Sequence, residues 1–205
     1  MNIGILGTGM VGQALADGLS QAGHSVMMGT RDPRGRQAPD GVALVTLSEA
    51  CHAGLVINAL NGGVCVGVLE SLTDELTGKV LLDVANPLDF SAGFPPTLFT
   101  EQTESLAERI QRVLPATAVV KSLNTLTAPL MLNPGALPAP SAVFLSGDDV
   151  VAKQLVRDLL TSFGWEQIID LGGLATARGV EMLMPMWLTV MQAMGDAQFN
   201  WAVIR

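Results

Sequence analysis

The stretch Met1-Asn-Ile-Gly-Ile-Leu-Gly-Thr-Gly-Met-Val-Gly12 decides the fold that we predict for this chain. Its apolar residues at positions 3, 5 and 6 predict a short buried strand, and the pattern G-x-G-x-x-G follows directly, from Gly7 to Gly12. From Met10 onward, apolar residues recur at helical spacing as far as Ala22. A glycine motif between a strand and a helix is typical of a dinucleotide-binding fold. We therefore predict a nucleotide site at this turn; the alternative is a glycine-rich turn that holds no ligand.

Each glycine of the motif has a separate expected role. Gly7 lets the chain turn sharply off the strand, Gly9 has no side chain that would block a pyrophosphate, and Gly12 lets the helix lie close to the sheet. The first backbone N–H groups of a helix are unpaired, and the positive end of the helix dipole lies beside them. This end of the helix is therefore expected to face the phosphates.

The end of the second predicted strand, Ser25–Met28, indicates which dinucleotide is bound. An acidic residue there would bind the 2′-hydroxyl of NAD, whereas arginine or a small hydroxyl residue accepts the 2′-phosphate of NADP. Here Thr30 and Arg31 come first, and three of the chain's eleven basic residues fall between Arg31 and Arg36. Arginine forks suit phosphate. This pattern favours NADP; the alternatives are a solvated basic loop, or NAD bound through Asp32.

The rest of the chain alternates apolar strands with helical segments, which predicts an α/β, Rossmann-type doubly wound, mostly parallel sheet. We expect residues 1–172 to form the NADP-binding domain, and residues 173–205 a small C-terminal helical segment and tail. Ligands lie across the carboxyl ends of such strands. Asn61 and Asn86 follow the ends of two of them and are expected to line the cofactor cleft, although Asn-Gly and Asn-Pro also favour ordinary turns. The Pro-, Gly- and Thr-rich stretch 91–103 is expected to be an exposed loop near the site.

Composition excludes several classes of partner. The net charge of −8 argues against nucleic acid and anionic membranes. The two cysteines form no C-x-x-C pair, so we expect no metal site and a reducing, cytoplasmic location. The apolar stretch 182–191 is shorter than the roughly 20 residues of a spanning helix and contains Pro185, so we expect a soluble protein.

Few residues are candidates for acid–base catalysis. The chain has no tyrosine, neither histidine follows a predicted strand, and only Lys121 among the lysines is expected near the cleft. No catalytic residue is assigned. Hydride transfer between two cofactor rings needs mainly orientation and a dry pocket, so this scarcity favours that kind of reaction. The methionine-rich last helix suits either a flat ring system or a core or subunit interface.

Several blocks of the chain together resemble the NADP reductases that depend on coenzyme F420, a deazaflavin. The resemblance extends over essentially the whole chain, and it is carried by Gly7–Gly12, Gly29–Arg31, Val119–Thr125, Ser146–Asp149 and Asp170–Leu183. It implies an NADP-binding sheet domain with a small helical C-terminal part, a homodimer, and hydride transfer between nicotinamide and deazaflavin. The same family architecture serves the cytosolic domains of membrane ferric reductases, which use flavin.

Carried over by position, the resemblance also implies roles for particular residues. The pyrophosphate would be held by Thr8, Gly9, Met10 and Val11. The 2′-phosphate would be held by Thr30 and Arg31, helped by Arg34 or Arg36. The nicotinamide half would lie beside Asn61 and Asn86, and the ring-to-ring site beside Asn124. The chain departs from the well-studied deazaflavin enzymes in having Asn124 in place of a histidine, and Asn61-Gly-Gly63 in place of an aromatic-containing strand end.

The expected function is that of an NADP(H)-dependent oxidoreductase that transfers a hydride between nicotinamide and a deazaflavin or flavin, such as F420 or FMN. One alternative is an NADPH-dependent reductase of a small imine or carbonyl substrate. Another is an NADPH-binding sensor with no turnover. The expected partner is accordingly a second redox cofactor or a small molecule.

Overall fold

A computed structural model describes residues 1–34 and 36–204 of the chain. Within them the strands are β1 (Asn2–Leu6), β2 (Ser25–Thr30), β3 (Ala43–Thr46), β4 (Leu55–Asn58), β5 (Val80–Asp83), β6 (Leu88–Asp89), β7 (Thr97–Leu98), β8 (Ala118–Ser122), β9 (Ala142–Gly147) and β10 (Gln167–Gly172). The helices are α1 (Met10–Gln21), α2 (Leu47–Ala50), α3 (Gly62–Glu70), α4 (Thr73–Leu76), α5 (Leu106–Val113), α6 (Ala128–Leu132), α7 (Val150–Ser162) and α8 (Ala177–Met194).

Eight of these strands form one sheet in the order β10-β9-β8-β5-β4-β1-β2-β3. The strands from β8 to β3 in this order are parallel, while β9 runs antiparallel to β8 and is itself parallel to β10. The chain moves from β1 outward to β2 and β3, then returns to the other side of β1 as β4. This reversal is the topological switch point at which dinucleotide folds bind their ligand. The predicted Rossmann-type, mostly parallel sheet is confirmed.

The sheet is covered on both faces, which is why its strands are almost wholly apolar. One buried layer includes Leu15 and Leu19 of α1 with residues of α6 and α7, and the other includes Leu69 of α3 and Ile110 of α5. Burial of each such side chain contributes about 1.5–3 kcal/mol. The layers hold the carboxyl ends of the parallel strands in fixed positions.

Both cysteines are free thiols in the second layer. Cys51 follows α2 and Cys65 lies in α3, and neither side chain is exposed. Burial raises the pKa of each thiol to about 12, helped by the negative charge of Glu75 near Cys51 and of Asp83 near Cys65. Both thiols are therefore protonated at neutral pH.

Three helices (α3, α4 and α6) and a small hairpin were not anticipated from the sequence. The segment of α3, Gly-Gly-Val-Cys-Val-Gly-Val-Leu-Glu, is rich in glycine and β-branched residues of low helix propensity. Asn61 caps it by accepting a hydrogen bond from the Gly63 N–H at 2.9 Å, and its buried side supplies the packing that favours the helix. In α6 a proline occupies the first turn, where it is tolerated. The hairpin β6–β7 begins just before the stretch 91–103 that was expected to be a loop, and its second strand lies within that stretch.

The C-terminal segment packs on the sheet domain. Helix α8 ends at Met194 and is capped by Gly195, whose left-handed φ of 67° terminates it. The tail then returns to the sheet, where the Ala142 N–H donates to the Trp201 carbonyl at 2.8 Å. Phe199 stacks on Trp187 of α8 with ring centroids 5.1 Å apart. The division between residues 1–172 and 173–205 stays a prediction, and Arg205 lies outside the described residues. Within the described ranges, no helix is long and apolar enough to cross a membrane.

Candidate functional site

The three glycines of the first turn serve two different needs. A Cβ built on Gly7, which has a φ of +116°, would lie 2.6 Å from the Ala59 carbonyl oxygen, and one on Gly12 would lie 2.2 Å from the Gly7 carbonyl oxygen. These two glycines are required by the packing of the chain itself. A Cβ on Gly9 would meet no atom of the described residues within 4 Å. The space beside Gly9 is therefore open, as a backbone approaching a pyrophosphate requires.

The N-terminus of α1 opens onto this space. Gly9 is its N-cap residue, so the cap has no side chain that could accept a bond from the first N–H groups, and the first turn contains no acidic residue. Met10 is 86% exposed, and Val11 is half-buried against the core. The backbone N–H groups and the helix dipole can thus bind an anion.

A cleft of about 260 Å³ lies between the glycine turn and the end of β2. Its polar lining includes Thr8, Thr30, Arg31 and Arg36, and its apolar lining comes from Leu47, Leu60, Val64 and Val68. Thr30 is buried, whereas Arg31 and Arg36 are exposed. The Nη1 of Arg36 donates to the Thr8 hydroxyl at 3.0 Å, so this guanidinium lies directly over the glycine turn.

Arg34 occupies a different position from the other two arginines. Its Nε lies 3.0 Å from the Asp32 Oδ1, and both side chains are exposed on the loop outside the cleft lining. The hydrogen bonds from Arg34 hold the pKa of the Asp32 carboxyl below its usual value. The structure thus brings Thr8, Thr30, Arg31 and Arg36 together, and places Arg34 in an ion pair with Asp32.

The three asparagines expected at the nicotinamide half fall into one pair and one separate residue. Asn86 donates from Nδ2 to the Asn124 carbonyl at 2.9 Å, and Asn124 donates from its Nδ2 to Asn86 Oδ1 at 2.9 Å and to the Val180 carbonyl at 3.2 Å. Asn124 is 3% exposed. Asn61 is exposed and caps α3, the turn chemistry considered as its alternative role. The strand ends still adjoin, because a Cβ on Gly62 would lie 2.0 Å from the Asn86 carbonyl oxygen.

Behind the asparagine pair lies a buried ionic cluster that we call the Lys121 network, formed by Lys121, Asp83, Glu181 and Asn58. Lys121 Nζ lies 2.8 Å from Asp83 Oδ2 and 3.0 Å from Glu181 Oε1, and all three charged side chains are at most 1% exposed. Burial alone would lower the pKa of Lys121, but the two carboxylates outweigh it and the pKa is raised. Lys121 is therefore a charged internal group with no exposed surface.

Sequence reasoning placed Lys121 near the cleft but missed its two acidic partners. The available signals were a lysine within the apolar strand Ala-Val-Val-Lys-Ser and an aspartate closing the apolar strand Val-Leu-Leu-Asp. Glu181 lies 60 residues after Lys121 on α8 and gave no such signal. Arg178 and Glu181 are three residues apart on α8, at the spacing of a helical ion pair, but they do not pair with each other. Arg178 instead donates from Nε to the Glu108 Oε2 at 2.8 Å, across to α5.

A second cavity, of about 630 Å³, lies between residues 98–104 and α8. Its walls include Leu98, Glu104, Arg178, Met182 and Pro185. Glu181 of the Lys121 network also forms part of its wall. This cavity and the asparagine pair are thus connected through the same buried cluster. No group of side chains suited to a metal ion is found among the described residues.

Comparison with known proteins identifies a family to which the chain is similar. The family described as NADP oxidoreductase, coenzyme F420-dependent, matches residues 2–87. A solved structure of a candidate F420-dependent NADP reductase from Arthrobacter sp. FB24 is 44% identical over the full length of both chains, with a TM-score of 0.95.

Two curated relatives are more distant. The F420-dependent NADP reductase of Methanocaldococcus jannaschii is 29% identical over 75% of this chain and 68% of its own length. The rat metalloreductase STEAP3 is 32% identical over 90% of this chain, which spans only 37% of that protein's length. With the sheet order and the glycine turn described above, the full-length match confirms the resemblance seen in the sequence. The chain belongs to the F420-dependent NADP oxidoreductases, a family of NADP-dependent oxidoreductases.

Proposed function

We propose that this protein transfers a hydride between NADP(H) and a deazaflavin or flavin cofactor such as F420 or FMN. The observation that carries the proposal is the open space beside Gly9, bordered by the α1 N-terminus on one side and by Arg31 and Arg36 on the other. A helix N-terminus binds a pyrophosphate and paired arginines bind a further phosphate. NADP carries both groups.

In this proposal the adenosine half is bound by the first two strand ends. The N–H groups at Gly9, Met10 and Val11, with the Thr8 hydroxyl, would bind the pyrophosphate. Thr30, Arg31 and Arg36 would bind the 2′-phosphate. Arg34 would join them only by leaving Asp32.

The nicotinamide half would lie at the ends of β4, β5 and β8, beside Asn61, Asn86 and Asn124. The paired amides of Asn86 and Asn124 are held in place by their mutual hydrogen bonds and can orient a planar ring. The hydride partner would enter through the second cavity, where Met182 supplies an apolar contact. A bound NADPH would supply the hydride to the second cofactor. The residues of this chain would then need mainly to hold the two rings against each other, Asn86 and Asn124 on the nicotinamide side and Met182 in the second cavity.

We also propose that the protein is a homodimer formed through α8. Met182, Met186 and Met194 lie four and eight residues apart and are 48%, 55% and 60% exposed. Residues 182–195 contain no charged side chain, although the chain carries a net charge of −8. Two copies can therefore approach at this face without the repulsion expected elsewhere. A cytoplasmic location is proposed because both cysteines are free thiols.

Calorimetric titration with NADPH and NADH, followed by stopped-flow oxidation of the bound NADPH, tests the function. We expect tight NADPH binding, weaker NADH binding, and fast oxidation by F420, by FMN or by both. NADPH binding with no transfer to either acceptor would contradict the proposal and favour a small imine or carbonyl substrate or a sensor. Equal affinity for NADH and NADPH would contradict the 2′-phosphate site.

A further inference from the structure

The Lys121 network uses every proton of its lysine. A lysine ammonium has three N–H groups, and Lys121 directs them to Asp83, to Glu181 and to the Ala85 carbonyl oxygen. With no exposed surface and no free donor, this side chain cannot deliver a proton to a substrate. Its role must therefore come from the groups to which it is hydrogen-bonded.

Stability alone does not explain this cluster. Central parallel strands are normally continuous apolar runs, and replacing a buried ionic cluster by apolar side chains is often neutral or stabilising. Here two carboxylates face one ammonium. The second carboxylate is compensated by the N-terminus of α5, where the N–H groups of Leu106 and Ala107 donate to Glu181 at 2.7 and 3.2 Å. The arrangement joins α8, α5 and β8 at one point.

The network holds the peptide that immediately precedes Asn86. Asp83 Oδ1 accepts a hydrogen bond from the Ala85 N–H at 3.1 Å, while Lys121 donates to the Ala85 carbonyl oxygen. Both polar groups of Ala85 are thus bound by one ion pair. Asn86 follows directly and is paired with Asn124.

The same network extends to the neighbouring strand end. Asn58 donates from Nδ2 to Asp83 Oδ1 at 2.8 Å, and its own Oδ1 accepts from the Leu60 N–H at 3.3 Å, just before Asn61. The network therefore reaches the ends of β4, β5 and β8. The side-chain hydrogen bonds of the network, among the described residues, reach no residue at the ends of β1 and β2, where the adenosine half is proposed to bind; Asn58 meets Leu6 of β1 only through the backbone pairing of the sheet.

We propose that Lys121 is a positioning residue for the nicotinamide half of the cofactor. The inference rests on the proposed NADP site. Lys121 fixes Ala85, and through it the Asn86–Asn124 pair, while Glu181 fixes the α8 wall of the second cavity to the same point. One buried cluster thereby sets the position of both reacting rings, while its side chains form no hydrogen bond with the described residues that are proposed to bind the adenosine half.

The variant Lys121→Met tests whether Lys121 positions the nicotinamide half of the cofactor without affecting binding of the adenosine half. The probes are 2′,5′-ADP, which lacks nicotinamide, and NADPH, whose ring fluorescence reports its surroundings. We expect the dissociation constant of 2′,5′-ADP to change by less than about twofold, as for sites that do not interact. The emission anisotropy of bound NADPH should fall, and hydride transfer at saturating NADPH should slow by roughly a hundredfold, the effect of misplacing a reacting group by about 1 Å.

Lys153→Met is the matched control, because Lys153 also pairs with an aspartate, Asp170 at 3.0 Å, but on the edge strand β10. Lys153→Met should leave the affinity for 2′,5′-ADP, the anisotropy of bound NADPH and the rate of hydride transfer unchanged. If Lys121→Met does not fold, Asp83→Asn provides the test, because it keeps the side-chain shape and removes one charge. It should leave the affinity for 2′,5′-ADP nearly unchanged, lower the anisotropy of bound NADPH, and slow hydride transfer less than Lys121→Met does.

Unchanged NADPH anisotropy and unchanged transfer in a folded variant would overturn the positioning role. So would a loss of 2′,5′-ADP affinity as large as the loss of transfer, which would indicate a general structural effect. If the wild-type protein reduces neither F420 nor FMN, the proposed function fails. The anisotropy and 2′,5′-ADP measurements then still decide whether Lys121 positions nicotinamide.

Discussion

At the residue scale, Gly9 can be separated experimentally from the two glycines beside it. Its φ of −75° and ψ of −177° suit a β-branched residue, and the space beside it is open. We expect Gly9→Val to keep the melting temperature of the wild type and to lose NADPH binding, because the added side chain would occupy the pyrophosphate position. Calorimetric titration and thermal unfolding measure the two effects.

Gly12→Ala is the control for this experiment. Its Cβ would lie 2.2 Å from a backbone oxygen, so it should destabilise the fold by about 1–3 kcal/mol. Retained NADPH affinity in Gly9→Val would remove the glycine turn from the binding site.

Arg31 is expected to distinguish NADPH from NADH. A charge-assisted hydrogen bond to phosphate contributes roughly 1.5–3 kcal/mol, so Arg31→Ala should raise the dissociation constant of NADPH about 10- to 150-fold and leave that of NADH nearly unchanged. Arg34→Ala is the matched control from the same loop and should have a smaller effect, because Arg34 already pairs with Asp32. Equal losses for NADPH and NADH would contradict the 2′-phosphate assignment.

The sequence could indicate those site residues whose role depends on local pattern. Gly7, Gly9 and Gly12 follow from a motif six residues long, and Thr30 and Arg31 from their place after a strand. Contacts between distant positions left no such pattern: Asn86 meets Asn124 38 residues later, and Lys121 meets Glu181 60 residues later. These residues come together only when the strands assemble into the sheet, so no local sequence pattern marks them.

At the element scale, the apolar periodicity from Met10 to Ala22 predicted α1 to within one residue of its observed end at Gln21. Local side chains also fix the starts of two later helices: Asp149 accepts from the Ala152 N–H at the start of α7, and Ser105 forms a capping box with Glu108 at the start of α5. Helix α3 escaped prediction because its stability comes from packing and not from propensity. Strand β4 ends at Asn58, whose side chain joins the Lys121 network.

The ion pair between α5 and α8 gives the fold a defined response to acid. Arg178 lowers the pKa of Glu108 from 4.5 to about 2, with the Ser105 N–H and hydroxyl assisting. A carboxyl whose pKa is lower in the folded state than in the unfolded state stabilises the fold at pH values above its unfolded-state pKa. This stabilisation is lost as the pH falls through the folded-state pKa. This contribution should therefore be complete above pH 4.5 and disappear toward pH 2.

Arg178→Met tests that response. Since Arg178 is 37% exposed and its pair is partly screened, we expect the variant to have a slightly lower free energy of unfolding at pH 7 and to show a flatter decline of that free energy between pH 4.5 and pH 2. Urea unfolding at a series of pH values measures both. Parallel pH profiles for the variant and the wild type would show that the pair does not couple α5 to α8.

At the scale of the whole molecule, the proposed dimer interface is the exposed face of α8, where residues 182–195 carry no charged side chain. Met186→Glu places a carboxylate in the uncharged face of α8, and we expect it to convert a dimer to a monomer because burying an unpaired charge is costly. Val151→Glu is the matched control, since Val151 is 80% exposed on α7. Analytical ultracentrifugation measures the mass of each. A wild-type monomer, or a dimer that persists in Met186→Glu, would contradict the proposed interface.

The two buried thiols have a further consequence for the molecule as a whole. A thiol with a pKa of about 12 is almost never a thiolate at neutral pH, so alkylating reagents and peroxides react with it only when the chain opens. The rate at which Cys51 and Cys65 are alkylated, measured by mass spectrometry, therefore reports how often the structure opens on the α2–α3 face. A cysteine introduced on the surface would be the one fast-reacting thiol among the described positions, which permits single-site dye labelling without removing the native pair.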